Sequence, residues 1–285
     1  EQYSGVILRH VDFLMSPACS EFKGRFEQIE VIVNQQHKLT VEAVQELHHI
    51  LWNAGTAAFQ NKDMRLAMTW VERSSRLFPA ENGIQEEAEV RENHAKCLRV
   101  MAHCHLVLND PTSALSFVQR ATKIEPESLF CRTLEFRCHL MLGDDAAASH
   151  VLQDISSRST ADETCQSSLE LCAQCAFEID KTEVATKALE AVLTVSRGQN
   201  LGIIVRNLVK LVLNNESKEA QVTTSVVQLI RVCNYLRIAG EKLKQVGPVE
   251  FFGQQGSEEP TWFHSVCWNC GKEAALQGDF SSAQQ

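Results

Sequence analysis

Four times in this chain an aspartate stands four residues ahead of an alanine, at Asp63/Ala67, Asp110/Ala114, Asp144/Ala148 and Asp279/Ala283. Twelve positions before those alanines lie Gly55, Ala102, Phe136 and Gly271, and twelve positions after the first two come Pro79 and Pro126. Each element of the pattern has a physical reason. Two antiparallel helices approach closely only where the facing side chains are small, so glycine or alanine on the first helix meets alanine on the second. The aspartate opens the second helix, where its carboxylate accepts a bond from an orphan first-turn N–H and sits at the positive end of the dipole. In Asn109-Asp110-Pro111 the proline occupies the first helical position, where its missing N–H costs nothing. Gly143 and Gly278 stand where a first helix must end, and Pro79 and Pro126 where a second must stop. Capping, packing and breaking residues share one register, which predicts helical hairpins.

From Ala102 to Phe136, and from Ala114 to Ala148, the step is 34 residues, the period of the tetratricopeptide (TPR) repeat. The expected fold is therefore all-α, a right-handed TPR-type α-solenoid of antiparallel helix pairs. Apolar spacings of three and four dominate and no strand pattern stands out. Residues 1–46, with Phe22, Phe26, Ile29, Ile32 and Val33, are expected to form an N-terminal helical cap. Repeats are expected over 47–195: the first from near His48 to Pro79, the second from near Ala95 to Pro126, the third over about 129–155. A fourth reads through Leu169, Ala173, Ala185 and Leu189, with Lys181 in place of the capping aspartate. Divergent helices are expected over 196–247 and a loop over 248–261, and a further repeat begins at 262 and is cut short by 285. A first residue other than Met, and an end two residues past Ala283, suggest a piece of a longer protein.

With 44% hydrophobic residues the chain can bury a substantial core. Its net charge of −9, with no basic stripe, argues against direct nucleic-acid binding. No apolar run reaches the roughly 18–20 residues of a membrane span. Most of the eleven cysteines fall in apolar helical stretches, Cys97, Cys104, Cys131, Cys138, Cys267 and Cys270 among them, and are expected to be buried free thiols. That usage, without a signal peptide, points to a reducing compartment, cytosol or nucleus. Cys172/Cys175 and Cys267/Cys270 have the CxxC spacing, but zinc needs four convergent ligands and both pairs lie mid-helix. In His103-Cys104-His105 the histidines diverge by roughly 200° around a helix and cannot share an ion; His48-His49 fails similarly. No phosphate-binding loop, HExxH or nucleophile elbow is present. No cofactor and no catalytic residues are expected; a cysteine-rich metal-dependent enzyme is the rival that stoichiometric zinc would favour.

The concave wall of such a stack is lined by its first helices. Here that register selects His49, Trp52, Thr56, Phe59 and Gln60 in repeat one, and Lys96, Arg99 and His103 in repeat two. It selects Phe130, Thr133 and Arg137 in repeat three, and Trp268 and Lys272 in the last. A locally basic and aromatic wall on an acidic chain would suit an acidic-hydrophobic segment of a partner, the alternative being that the aromatics pack on neighbouring helices. Asn53 and Asn269 are candidates to hydrogen-bond a bound backbone, or equally to bond between helices.

Leu51-Trp52-Asn53-Ala54-Gly55 near one end and Cys267-Trp268-Asn269-Cys270-Gly271 near the other share a Trp-Asn-x-Gly opening that the generic repeat does not require. With Glu250-Phe251-Phe252-Gly253 ahead of Trp262, residues 40–285 resemble the Spo-twenty-two/Zip-four-like meiotic proteins. The resemblance implies a TPR scaffold on meiotic chromosomes in the nucleus. Such a scaffold would promote crossovers and synaptonemal complex assembly by binding other recombination and synapsis proteins, with no membrane and no direct nucleic-acid contact. A generic TPR adaptor, such as a co-chaperone or ubiquitin-ligase subunit in the cytosol, is the alternative. A chaperone clamp would need Lys and Asn where repeat one carries Trp, Thr and Phe.

Overall fold

The structure, a computed structural model, describes residues 2–16, 19, 24–78, 88–158, 163–196, 201–214, 226–253 and 259–276. Among these residues there is no strand, and the chain divides into two compact units, Glu1–Leu142 and Gly143–Gln285. The first contains α1 (Gln2–Met15), α2 (Arg25–Asn34), α3 (Val41–Gln60), α4 (Met64–Ser75), α5 (Ala88–Val107), α6 (Pro111–Ile124) and α7 (Leu129–Leu142). The second contains α8 (Asp145–Arg158), α9 (Glu163–Glu178), α10 (Thr182–Val195), α11 (Leu201–Asn214), α12 (Val226–Val246), α13 (Pro248–Phe252) and α14 (Glu259–Leu276). The fold class is the all-α, TPR-type solenoid of helix pairs: α3 packs on α4, α5 on α6 and α9 on α10, and each pair leans on its neighbour in sequence within its unit.

One device turns the chain within each pair. The residue before the second helix's cap takes a left-handed backbone conformation, at Lys62 (φ 62°), Asn109 (φ 61°), Gly143 (φ 78°) and Asp180 (φ 59°). The next N–H then reaches back five residues: Asp63 to the Ala58 carbonyl (3.0 Å), Asp110 to His105 (2.8 Å), Lys181 to Ala176 (2.9 Å). This 6→1 bond is the Schellman closure that satisfies an otherwise orphaned carbonyl. The carboxylates then start the next helix: Asp63 accepts from Leu66 N–H at 3.0 Å, Asp110 from Ser113 at 3.1 Å and Asp144 from Ala147 at 2.9 Å. Lys181 caps nothing with its side chain, but the backbone closure is unchanged, and its amine pairs with Asp145 in the first turn of α8 at 3.0 Å. Glycine is thus present at one of four such turns; Lys62 accepts the left-handed conformation because the closure around it fixes the path.

Helix approach follows the small residues. A Cβ built on Gly55 of α3 would lie 2.6 Å from Val71 Cγ2 of α4, so only glycine fits without displacement. Ala67, Ala102, Ala114 and Ala148 are fully buried, as are Ala176 and Ala185 in the α9–α10 pair. Around the first pair, Val11 and Leu14 of α1 and Ile29 and Val33 of α2 close on Leu47, Leu51 and Trp70. Phe26 stacks on Trp70 at 4.9 Å, and Glu30 ties α2 to Arg73 of α4 at 3.1 Å. In the second unit Phe251 and Phe252 of α13 rest on Gly202 of α11, where a Cβ would meet the Phe251 carbonyl oxygen and the Phe252 ring at 3.2 Å.

Three boundaries differ from the sequence expectation. α3 begins at Val41 because Thr40 accepts the Ala43 N–H, so the division placed at 46/47 cuts through it. The expected loop over 248–261 contains the short helix α13, started by Pro248 after the positive-φ Gly247 and anchored by buried Phe251; α14 already begins at Glu259. The two compact units meet between 142 and 143, inside the stretch 47–195 read as one run of repeats, so α7 belongs to one unit and α8 to the other. Phe22, Pro79, Gly278, Asp279 and Ala283 lie outside the described residues.

Gly55→Ala should destabilise the chain by about 1–2 kcal/mol, the overpacking cost exceeding alanine's helix preference. Gly240→Ala, in α12 with nothing within 4 Å of a new Cβ, should be neutral or stabilising by up to about 1 kcal/mol. Urea unfolding of the two variants checks the contrast, and an equal response would remove the close-approach argument.

Candidate interaction surface

Three first helices of the N-terminal unit carry most of the wall that the register selects: α3, α5 and α7. Contacts between them are partly aromatic. Phe59 and His103 lie with ring centroids 5.3 Å apart, joining α3 to α5, and the His103 ring is electrostatically within reach of Arg137 on α7. Burial and the nearby guanidinium both hold His103 below the usual histidine range. Trp52 is half-buried against Val71, Cys97 and Leu98, and Phe59 against Ala58, Ala67 and Cys104, so both contribute to the core as well as to the wall. Thr56 turns its hydroxyl back to the Trp52 carbonyl at 2.9 Å. His49, Asn53 and Gln60 are exposed. Thr133 is not on the wall: it is buried, its hydroxyl bonded to the Leu129 carbonyl at 2.9 Å.

Phe130 is the wall's open aromatic, 72% exposed at the start of α7. It borders a recess of about 420 Å³ together with Arg91, Glu92, Arg99, Glu125 and Ser128. Two basic residues in and beside it have acidic partners. Arg99 forms an ion pair with Glu125, the residue that ends α6, and Lys96 pairs with Glu92 at 2.7 Å. The locally basic wall expected from sequence thus carries acidic partners as well: Glu125 at the end of α6 meets Arg99, and Glu92 lies one turn before Lys96 on α5 itself. In the C-terminal unit Trp268 (70% exposed), Asn269 and Lys272 project from α14.

Behind the wall lies a buried polar group that the pattern did not reveal. His48 is 6% exposed, its Nδ1 2.6 Å from Ser74 Oγ on α4. The Ser74 hydroxyl also reaches the His48 carbonyl at 3.4 Å, and Cys97 Sγ on α5 donates toward Ser74 Oγ at 4.0 Å. Burial, then the neighbouring His49 and Lys96, press the His48 pKa down to about 4. A polar residue directly after Leu47 in an apolar helix was the only sequence signal.

Cys172 and Cys175 are buried, and Cys97 and Cys138 are pushed by burial up to about 12. Cys270 is buried, whereas Cys267, expected inside, is exposed on the outer side of α14. His103 meets Phe59, while His105 stacks on Phe117 at 5.3 Å and approaches Asp110 at 3.2 Å, so the two rings serve different helices. Among the described residues no group of His, Cys, Asp or Glu is placed to hold a metal, and no helix is long and apolar enough to cross a membrane.

The family model described as "Meiosis protein SPO22/ZIP4 like" matches residues 23–285. The chain belongs to this family. Solved structures of similar architecture include the apo form of RapI, at 10% identity over 99% of this chain and 94% of that one with a TM-score of 0.46. A thermophilic TPR protein of Thermus thermophilus matches at 14% identity over 77% and 98% with a TM-score of 0.41, and MamA at 10% over 70% and 92% with a TM-score of 0.43. For a SPO22/ZIP4-like meiosis protein of TPR type, family and fold point to a non-catalytic scaffold that works through protein–protein interaction.

In this family member His48 makes a stability prediction. Its folded pKa lies below the unfolded value, so the unfolded chain takes up the proton first as pH falls. Its contribution is fully present above about pH 6.5 and is lost progressively toward pH 4, by on the order of 3 kcal/mol at most. Urea unfolding at pH 7, 6 and 5 should show this decline, and His48→Asn should flatten it; an unchanged pH slope in the variant would contradict the assignment.

Proposed function

We propose that this chain is an interaction scaffold that promotes meiotic crossover formation and synapsis by docking recombination and synaptonemal complex proteins, on chromosomes in the nucleus. Membership of the meiosis family supports the process, and the ranked first helices support the mode of action. Holding several partners on one chain raises their effective concentrations for one another without new chemistry. No catalysis, cofactor, membrane or direct nucleic-acid contact is part of this reading.

The observation that carries the site is Phe130, an open aromatic beside a recess whose rim alternates Arg91, Glu92, Arg99 and Glu125. Exposed aromatics beside a recess act as anchors, and surrounding matched charges select partners more than they add affinity. The partner segment is accordingly apolar at its centre with both charge signs at its edges, which refines the acidic-hydrophobic segment expected from sequence. His49, Trp52, Thr56, Phe59, Lys96, His103 and Arg137 extend the same wall, with Trp268 and Lys272 as a separate contact in the C-terminal unit.

Phe130→Ala should leave the melting temperature unchanged and lower recovery of recombination and synaptonemal complex proteins from meiotic extract by about tenfold, as for a hot-spot aromatic. Lys96→Glu with Arg137→Glu, leaving the Arg99–Glu125 pair intact, should give a smaller loss. Immunoblots of the captured proteins read both. Undiminished capture by folded Phe130→Ala would remove this surface as the docking site.

A further inference from the structure

In the C-terminal unit, α13 is held in place by a single buried side chain. Pro248, Val249 and Glu250 are exposed and Phe252 is half-buried, whereas Phe251 is covered, at 1% exposure. One turn of helix has little stability of its own, since its nucleus orders several residues for one hydrogen bond. Here that bond runs from the Phe251 N–H to the Gly247 carbonyl at 3.0 Å. Seating therefore rests on Phe251, which lies over Gly202 of α11. A Cβ on Gly202 would stand 3.2 Å from the Phe251 carbonyl oxygen and 3.4 Å from its ring.

Both ends of α13 are glycine corners. Gly247 (φ 83°, ψ 163°) and Gly253 (φ 75°, ψ 169°) share a conformation that residues with a Cβ essentially never adopt. Glycine leaves that region as readily as it enters it, so α13 is a short piece between two soft joints. On its other side it meets α14. The Phe263 ring lies 5.9 Å from that of Phe251 and 5.7 Å from that of Phe252, both pairs near edge-on. Phe263, Cys270 and Ala274 are the buried residues of α14 among those described. Phe263, with Arg206 of α11 over the neighbouring Trp262 ring at 5.6 Å, anchors the N-terminal half of α14. Cys270, within electrostatic reach of Cys233 on α12, anchors the other half.

We propose that α13 is a latch on α14. With Phe251 seated over Gly202, the Phe251–Phe252–Phe263 cluster holds the N-terminal half of α14 against α11. With Phe251 withdrawn on its two glycine corners, that half is released while α12 keeps the other. Opening gives up one buried aromatic and regains the freedom of a five-residue helix and two glycines, so the two states lie close in free energy. Trp268, between the two anchors, is then presented from a fixed helix or from a loose one; only this consequence rests on the scaffold reading.

Hydrogen exchange of the full 285-residue chain, resolved to single amides, tests the latch without a partner. The amides of Phe252 and of residues 263–267 should share one protection factor, below that of α12, because one opening exposes them all. Phe251→Ala, and Gly202→Val from the opposite side of the contact, should each speed exchange there by about tenfold or more, with α12 staying within about twofold. Val249→Ala, at a 67% exposed site of the same helix, should change nothing at 263–267. Exchange that rises in α13 alone, or equally through α11, α12 and α14, or in neither, overturns the proposal. Unequal protection of Phe252 and 263–267 in the unsubstituted chain overturns it too, and needs no variant. Failure here beside lost partner capture in Phe130→Ala leaves the scaffold reading standing; coupled exchange beside undiminished capture leaves the latch standing.

Discussion

How closely two helices of a pair can approach sets everything else in this chain. At Gly55 the opposing Val71 methyl lies where a Cβ would be, so the α3–α4 separation is fixed by the absence of a side chain. The turn that joins them imposes the same geometry from the other end: a left-handed residue followed by a 6→1 bond reverses the chain in three residues at Lys62, Asn109 and Asp180. Close approach and tight reversal together determine which face of each first helix remains uncovered, and so which side chains a partner can meet. Val71 illustrates the economy of the arrangement, since the residue that excludes a Cβ at Gly55 also contributes to the next core cluster with Cys97 and Leu98.

Most of this architecture could be read from sequence because its determinants are local. Asp63, Asp110 and Asp144 cap where expected, since a cap is decided by residues three apart, and the buried alanines follow from a period that sequence displays directly. The departures are non-local. Nothing near Lys62 announces a left-handed backbone; the closure around it does that. Arg99 reads as a free basic residue until Glu125, 26 positions on, is brought to it by the folding back of α6. His48 likewise finds Ser74 26 positions away. Thr133 has the register of a wall residue, yet its hydroxyl bonds one turn back and its side chain is covered. The helix pairs were therefore legible, and the ion pairs between them were not.

Cysteine usage follows the same packing logic. A thiol is small enough to fill the space between paired helices, and burial raises Cys97 and Cys138 to about 12 and Cys104 and Cys270 to about 11. Thiols so shifted are poor nucleophiles and, as protonated groups, poor metal ligands, since the thiolate performs both roles. Ten of the eleven thiols are thus packed inside, Cys267 being exposed.

Matched charges on the wall also bear on how such a surface discriminates. If Lys96 and Arg99 were unopposed, any acidic segment would be attracted, and an abundance of acidic chains would compete. With Glu92 and Glu125 already engaging Lys96 and Arg99, a charged partner must displace an existing pair, so charge alone gains little. On the docking surface proposed above, affinity then has to come from apolar groups that find the recess beside Phe130. A surface that selects by an apolar anchor rather than by net charge, as proposed here, leaves the chain free to remain acidic overall, at −9.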